Sequence, residues 1–397
     1  MNPNLARLQS YPFEKLAALK EGVTPPELPP IAWSIGEPKQ PAPDFVLQAM
    51  SQHLDRLASY PVTKGMPELR QACAHWLERR FRLPPQGVDP ERQVLPVAGT
   101  REALFAIAQA VIDERRDPLV VTPNPFYQIY EGAALLAGAE PYFVNTTEDN
   151  GYLPDFDEVP EDVWERCQLL YLCNPGNPTG AVMDLTLLQE VIERADYYDF
   201  VIASDECYSE IYTDEDNAPP GLLQAAAQMG MDDYRRCLVF HSLSKRSNLP
   251  GLRSGFVAGD ATILERFLKY RTYQGCALPV PAQYASIAAW EDEDHVHRNR
   301  LDYTEKFNAV LSILEPVLDV RQPDAGFYLW PHLPVDDEAF ARGLFQEQAV
   351  TVLPGRYLSR QAHGINPGEN HVRMALVGPL DECIEAAQRI RTYVETL

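Results

Sequence analysis

The sequence predicts an α/β protein with a large domain, built on a mostly parallel sheet covered by helices, and a smaller α+β domain. The chain has 397 residues, enough for two domains, and 45% of them are hydrophobic, which suffices for a sizeable interior. From about residue 45, short apolar segments alternate with amphipathic helical segments, a pattern typical of parallel sheets buried on both faces. After residue 281 the pattern changes to long helices and isolated short strands, which indicates the second domain.

The elements of the large domain follow in a regular order. Proline-rich stretches at 24–30 and 37–43 predict an extended arm around a strand-like segment at 31–36. Amphipathic spacing predicts helices, and Pro67 and Gly138 mark the start of one and the end of another. The predicted helices are 44–54, 67–81, 100–112, 127–138 and 183–199. The predicted strands, each a short apolar run, are 93–99, 117–126 with its turn, 139–146, 167–175, 200–208, 237–245 and 254–260.

The remaining segments predict the small domain. One or two long helices are expected at 281–317, short strands at 326–333 and 350–355, and a terminal helix at 380–397. We therefore expect a large domain at 45–285. The small domain should combine the N-terminal arm, residues 1–44, with residues 286–397.

Composition and charge exclude several classes of function. The formal net charge is −23, from 34 Lys and Arg against 57 Asp and Glu, and this disfavours binding to nucleic acids and anionic membranes. No run of about 18 apolar residues predicts a membrane span, and the N-terminus lacks the apolar core of a secretory signal. Seven scattered cysteines without a C-x-x-C pair predict reduced thiols in the cytoplasm, with neither disulfides nor a metal site.

Chemically useful residues follow several of the predicted strands, at the sheet edge where ligands bind. Gly99, Thr100 and Arg101 come where a strand turns into a helix, whose free N–H groups suit a phosphate; the alternative is a plain turn with Thr100 as N-cap. Tyr127 could stack on a flat ring or simply pack in the core. Asn177, in the loop CNPGNPTG, could donate to a phenolate oxygen or merely form a turn.

Two further strand ends complete the constellation. Asp205 ends an apolar strand, so its carboxylate needs a cationic partner, and Tyr208 follows three residues later. The stretch HSLSKRSNLPGLRSG offers an amine, hydroxyls and a guanidinium fork; these belong to Lys245, Ser242, Ser244 and Arg253. An amine for an aldehyde, an acid for a pyridine nitrogen and anchors for a phosphate together predict pyridoxal 5'-phosphate as the cofactor.

The segments SLSKRSNLPGLRSG, NPGNPTG, SDECY and HVRMALV resemble the main motifs of the class I/II aminotransferases, which are fold-type I pyridoxal-phosphate enzymes. The resemblance runs nearly end to end and implies a seven-stranded sheet. It implies that Lys245 holds the cofactor aldehyde and shuttles protons, with Asp205 on the ring nitrogen. Asn177 and Tyr208 would contact the ring oxygen, and Tyr127 would stack on the ring. The implied phosphate ligands are Gly99, Thr100, Arg101, Ser242, Ser244 and Arg253.

The same resemblance extends to the substrate and to a second subunit. Arg373, in VRMAL, would grip the substrate α-carboxylate, with Asn177 and the backbone of Gly36 nearby; the alternative is a surface arginine. Tyr60, in SYPVTKGMPELR, matches a tyrosine that reaches the phosphate of the neighbouring subunit, which implies a homodimer with shared sites.

A closer resemblance is to bacterial N-succinyldiaminopimelate aminotransferases, carried by runs such as PNPFYQIYEGAALLAGAEPYF and YRTYQGCALPVPAQ. It implies the reaction N-succinyl-LL-2,6-diaminopimelate + 2-oxoglutarate ⇌ N-succinyl-2-amino-6-oxopimelate + glutamate, in lysine biosynthesis. A polyanionic substrate needs further cations; the candidates, each of which could equally be a surface charge, are Lys64, Arg246, Arg271 and Arg356.

Other functions fit parts of the sequence. The same fold could carry a broader aspartate, alanine or aromatic aminotransferase, or a β-lyase that uses the same lysine. A cofactor-sensing regulator that binds DNA would need a basic helix–turn–helix extension, which the sequence lacks. A nicotinamide-dependent enzyme would need G-x-G-x-x-G after the first strand, which is also missing.

Overall fold

The computed structural model describes residues 1–397, which form twelve strands and fourteen helices joined by loops and short 3-10 turns. The strands are β1 (Ile31–Ala32), β2 (Val94–Val97), β3 (Leu119–Asn124), β4 (Glu140–Asn145), β5 (Cys167–Cys173), β6 (Val201–Asp205), β7 (Cys237–Ser242), β8 (Gly255–Gly259), β9 (Tyr328–Leu329), β10 (Val350–Thr351), β11 (Leu353–Pro354) and β12 (Val372–Ala375). The helices are α1 (Pro12–Leu19), α2 (Asp44–Ser51), α3 (Pro67–Arg80), α4 (Thr100–Val111), α5 (Ile129–Leu136), α6 (Glu161–Arg166), α7 (Leu185–Tyr198), α8 (Leu222–Gln228), α9 (Leu243–Arg246), α10 (Ala261–Gln274), α11 (Val280–Glu291), α12 (Asp294–Leu314), α13 (Asp337–Gln348) and α14 (Leu380–Val394).

A seven-stranded sheet in the order β2-β8-β7-β6-β5-β3-β4 forms the centre of the large domain. Strand β8 is antiparallel to both of its neighbours, and the other pairs are parallel, so the predicted mostly parallel sheet is confirmed. In the register of β5, β6 and β7, Cys173 pairs with Asp205, which pairs with Phe240. The carboxyl ends of these three strands therefore meet at one edge of the sheet.

Separate hydrophobic cores lie on the two faces of this sheet and in the C-terminal part. The sheet packs between clusters of 42 and 21 buried residues. A third cluster of 22 residues joins Ile31 and Trp33 of the N-terminal arm to residues from 307 onwards, around the three-stranded sheet β11-β12-β9. The division into 45–285 and 1–44 with 286–397 stays a prediction, and this shared core supports it.

Some elements were not predicted. Helices α1, α6, α8, α9, α10 and α13 and strand β12 were missed. The strand predicted at 237–245 ends at Ser242, where α9 begins, and the segment predicted as one or two long helices forms two, α11 and α12. For α10 the signals were present: Asp260 caps the N-terminus by accepting from the N–H groups of Thr262 and Ile263, and Gly275 ends the helix with φ +84°. None of the helices combines the length and hydrophobicity that spanning a bilayer requires.

Candidate active site

A cavity of about 540 Å³ opens at the carboxyl ends of β5, β6 and β7. Residues of α1, α4, α9 and the C-terminal part complete its walls. All but two of the predicted site residues line it, namely Gly36, Thr100, Arg101, Tyr127, Asn177, Asp205, Tyr208, Ser242, Ser244, Lys245, Arg253 and Arg373. The exceptions are Gly99, which adjoins the Arg253 side chain, and Tyr60, whose side chain is fully exposed.

Lys245 lies in α9, directly after β7, with its amine facing the cavity. Its Nζ atom donates a hydrogen bond to the Gly36 carbonyl and lies 5.3 Å from the centre of the Phe327 ring. Burial lowers the pKa of Lys245 to about 8; Cys207 opposes this shift and the Arg373 guanidinium adds to it. An appreciable share of the amine is therefore neutral near physiological pH, and the neutral form is the one that attacks a carbonyl carbon.

This pKa predicts how the cofactor-free protein takes up pyridoxal phosphate. Because the neutral fraction of Lys245 grows as pH rises towards about 8, the rate of covalent attachment should rise with pH and level off above pH 8. Stopped-flow absorbance between pH 6 and 10 measures this rate. Arg373→Leu removes a cation that lowers the Lys245 pKa, so its plateau should begin at a higher pH. A wild-type rate that keeps rising to pH 10 would contradict the lowered pKa.

Asp205 is 5% exposed at the end of β6 and has no cationic side chain within ion-pair distance. The Tyr130 hydroxyl donates to its Oδ2 at 2.8 Å, and the Cys207 N–H donates to Oδ1 at 3.3 Å. Burial raises the pKa of Asp205 above its ordinary value. Tyr130 in turn stacks on Tyr171, with ring centres 4.6 Å apart. The cavity thus presents a buried carboxylate that lacks a positive partner.

Three tyrosines, Tyr127, Tyr208 and Tyr328, line the same cavity as Asp205. Tyr127 lines the cavity, and its hydroxyl accepts from Arg101 Nε at 2.5 Å. The hydroxyls of Tyr208 and Tyr328 are hydrogen-bonded to each other at 2.9 Å. The sequence did not predict Tyr130 and Tyr328 as site residues. The spacing of the two tyrosines in PNPFYQIY was the only signal for Tyr130, and Tyr328 carried none beyond its strand.

The start of α4 and the segment after β7 form an anion-binding corner. Gly99 is the N-cap of α4, so the alternative with Thr100 as N-cap is wrong, and its φ of +85° suits glycine. A side chain at Gly99 would collide with the Arg253 guanidinium, which places that guanidinium against the helix start. The Ser242 and Ser244 hydroxyls, 2.9 Å apart, lie beside it in the cavity wall. Helix N–H groups, hydroxyls and a guanidinium are the usual ligands of a phosphate.

Arg373 projects from β12 and is 5% exposed. Its Nη2 donates to the Ser34 carbonyl at 2.9 Å and its Nη1 to Asn177 Oδ1 at 3.1 Å, while Nε is buried without a partner. The guanidinium lies 4.4 Å from the centre of the Tyr328 ring and has no carboxylate partner. Tyr328 also packs so closely on Gly36 that a side chain there would collide with its hydroxyl. A buried, uncompensated guanidinium in a cavity favours binding of a carboxylate.

The four candidate cations for a distal anion do not line the cavity. Each makes an ion pair with an acid of its own chain at 2.5 to 3.0 Å. The pairs are Lys64–Glu91, Arg246–Glu293, Arg271–Glu102 and Arg356–Asp337. Arg246 and Arg271 are buried among core side chains, so their closeness to catalytic motifs along the chain does not bring them to the cavity. No cluster of His, Cys, Asp or Glu is arranged to hold a metal ion.

The chain is similar to known proteins over almost its whole length. The model of the family "Aminotransferase class I and II" matches residues 29–390. A solved aminotransferase from Neisseria meningitidis Z2491 is 51% identical, with a TM-score of 0.94 and coverage of 99% of both chains. An LL-diaminopimelate aminotransferase of Nitratidesulfovibrio vulgaris is 33% identical over 97% of both chains. The structure of a probable N-succinyldiaminopimelate aminotransferase from Thermus thermophilus is 30% identical, with a TM-score of 0.82, and covers 96% of this chain and 100% of that chain.

The cavity fits the cofactor that the sequence predicts. Asp205 is buried without a cation, and a protonated pyridine nitrogen would supply one. The corner between Gly99 and Arg253 presents positive charge without an acid, as a phosphate requires. The Lys245 amine faces the same cavity. With these features and the family match over residues 29–390, the chain belongs to the class I and II aminotransferases, which depend on pyridoxal phosphate and act on small amino and oxo acids.

Proposed function

We propose that the protein catalyses reversible amino transfer between N-succinyl-LL-2,6-diaminopimelate and 2-oxoglutarate. The observation that carries the amino-transfer chemistry is the meeting of Lys245, Asp205 and Arg373 around one cavity. The diaminopimelate class is supported by the names of relatives that match nearly the full chain. The succinylated form is supported by the motif resemblance and by the Thermus structure, which is 30% identical.

In this proposal each end of the substrate and cofactor has its own ligand. Bound pyridoxal phosphate supplies a carbonyl for amines and a ring that accepts electrons from the substrate α-carbon. Lys245 holds the cofactor and, as a neutral amine, takes the proton from the α-carbon and returns it as an acid. Arg373 grips the α-carboxylate, beside Asn177 and the Gly36 backbone. Asp205 keeps the ring nitrogen protonated.

The remaining contacts fix the cofactor in place. Tyr208 and Asn177 donate to the ring oxygen; the Asn177 amide oxygen already accepts from Arg373, which leaves its NH₂ group free to donate. Tyr127 stacks on the ring. The phosphate ligands in this proposal are Gly99, the backbone N–H groups of Thr100 and Arg101, Ser242, Ser244 and Arg253.

We also propose that the active form is a homodimer in which Tyr60 reaches the phosphate of the neighbouring subunit. The support is that Tyr60 is fully exposed and contacts nothing in its own cavity, although its motif matches a phosphate ligand. Light scattering of the purified protein should give twice the mass of one 44.7 kDa chain. A monomer that is fully active would contradict this assignment.

LL-diaminopimelate, without the succinyl group, is the second candidate substrate, because relatives that are 31–33% identical carry its name. A charge in the cavity wall offers one more reason to test it. Glu37 lines the cavity without an ion-pair partner and would favour a substrate ammonium over a succinyl carboxylate. The same fold could also support a broader aspartate, alanine or aromatic aminotransferase, or a β-lyase.

A panel of amino donors with 2-oxoglutarate separates these functions. We expect kcat/KM for N-succinyl-LL-2,6-diaminopimelate to exceed that for LL-diaminopimelate, aspartate, alanine and phenylalanine by about tenfold or more, which corresponds to roughly 1.4 kcal/mol of selective binding. Glutamate formation measures each rate, and pyruvate release from cystathionine tests the lyase. A higher kcat/KM for LL-diaminopimelate would transfer the assignment to the second candidate.

A further inference from the structure

Arg101 is a cavity cation whose side-chain partners are all uncharged. It is the second residue of α4, and its guanidinium lies between two tyrosines from different parts of the chain. Nε donates to the Tyr127 hydroxyl at 2.5 Å and Nη2 to the Tyr11 hydroxyl at 3.3 Å. The guanidinium carbon is 5.8 Å from the centre of each ring. The side chain is thus held in place by two neutral groups.

No acid neutralises this guanidinium. The next residue on the helix, Glu102, is already engaged by Arg271 at 2.5 Å, and Arg101 has no ion pair. Burial raises the pKa of Tyr127, so its hydroxyl stays protonated and uncharged. A guanidinium has five N–H donors, and two of those on Arg101 are used. The remaining donors and the full positive charge are available to a ligand in the cavity.

The three guanidinium groups of the cavity occupy different places. Arg253 lies against Gly99 at the helix start, in the phosphate corner, and Arg373 lies beside Asn177 on the C-terminal side. Arg101 instead reaches Tyr11, which precedes α1, and Tyr11 lines the same cavity together with the first residues of α1. Its side chain therefore contacts the α1 wall of the cavity, whereas the other two guanidinium groups contact Gly99 and Asn177.

We propose that the Arg101 guanidinium binds the distal carboxylate of dicarboxylic substrates, with Tyr11 and Tyr127 as positioning residues. It would thereby select glutamate, 2-oxoglutarate and an acidic partner substrate over monocarboxylic amino acids. The inference rests on the proposed function, which supplies the dicarboxylic donor. It also replaces the four cations that lie outside the cavity as the source of charge for the far end of the substrate.

Equilibrium binding tests the proposal without turnover. Glutarate and pentanoate have the same carbon chain and differ only in the second carboxylate. In calorimetric titrations of the holoenzyme, glutarate should bind more tightly than pentanoate, and Arg101→Gln should remove about 10- to 100-fold of that advantage, as expected for a charge-assisted bidentate contact. The matched control is Arg266→Gln, at an exposed position of α10, which should keep the wild-type ratio.

Single-turnover kinetics give a second readout. The ratio of kcat/KM for glutamate to that for norvaline, which lacks the distal carboxylate, should fall about 10- to 100-fold in Arg101→Gln and by less in Tyr11→Phe. An equal loss for both amino acids, together with weaker cofactor binding, would instead make the Arg101 side chain a phosphate ligand and overturn the proposal. Unchanged ratios would overturn it as well. If the wild type reacts with neither amino acid, the proposed function fails. The comparison of glutarate with pentanoate would still test whether Arg101 binds a distal carboxylate.

Discussion

Replacement of Lys245 with alanine is expected to lower the rate of amino transfer by at least about 10⁴-fold, because one side chain provides both the covalent attachment and the proton transfer. Borohydride reduction followed by mass spectrometry should show the cofactor on the Lys245 peptide of the wild type and no adduct in the variant. Glutamate formation measures the loss of turnover.

The Lys245 variant should remain folded. The amine makes one hydrogen bond, to the Gly36 carbonyl, and its burial opposes the charged form, so removing it leaves little to destabilise. Circular dichroism and thermal melting check this point. Lys269→Ala, at an exposed position on α10, is the matched control and should retain both the adduct and the activity. A Lys245→Ala protein that still turns over would exclude the assigned chemistry.

Replacement of Asp205 with asparagine is expected to lower kcat about 100-fold or more and to weaken cofactor binding, because the neutral amide cannot hold a proton on the ring nitrogen. Asparagine keeps an oxygen that can accept from the Tyr130 hydroxyl, so the geometry around the position should survive. Fluorescence titration of the cofactor-free protein with pyridoxal phosphate gives the affinity, and steady-state rates give kcat.

The same substitution, which lowers activity and cofactor affinity, should not lower the stability of the cofactor-free protein. The raised pKa of Asp205 means that the folded state retains this proton to a higher pH than the unfolded chain does. The carboxylate therefore reduces the free energy of unfolding as pH rises through that pKa, and Asp205→Asn should lack this decline. We expect the melting temperature of the cofactor-free variant at neutral pH to equal or exceed that of the wild type. A clear decrease would mean that Asp205 has a stabilising partner in the cofactor-free fold.

Much of the site could be predicted because its residues follow strands in a parallel sheet. The carboxyl ends of β5, β6 and β7 meet at one edge whatever the loops do, so Asn177, Asp205 and Lys245 had to converge once the strands were recognised. Local signals were equally reliable where the backbone itself requires them. Gly99 is an example, since its positive φ and the nearby Arg253 guanidinium both exclude a side chain.

Contacts between distant segments could not be predicted. Tyr130 meets Asp205 across 75 positions and Tyr11 meets Arg101 across 90, and nothing in either local sequence marks the pairing. The ion pairs of the candidate distal cations could not be predicted for the same reason. Lys64, Arg246 and Arg271 stand close to catalytic motifs along the chain, but each side chain turns to an acid elsewhere in the fold.

The order of short apolar strands and amphipathic helices, together with the residues at the strand ends, was enough to predict the α/β class and the cofactor, and the resemblance of the motifs indicated the family. These features depend on hydrophobic periodicity and on backbone geometry, both of which are local properties of the chain. Only the tertiary structure showed which charged side chains of the cavity lack an oppositely charged partner. Whether Asp205, Arg101 and Arg373 are compensated depends on which charges from remote segments lie within a few ångströms of them, and that arrangement arises when the segments pack together.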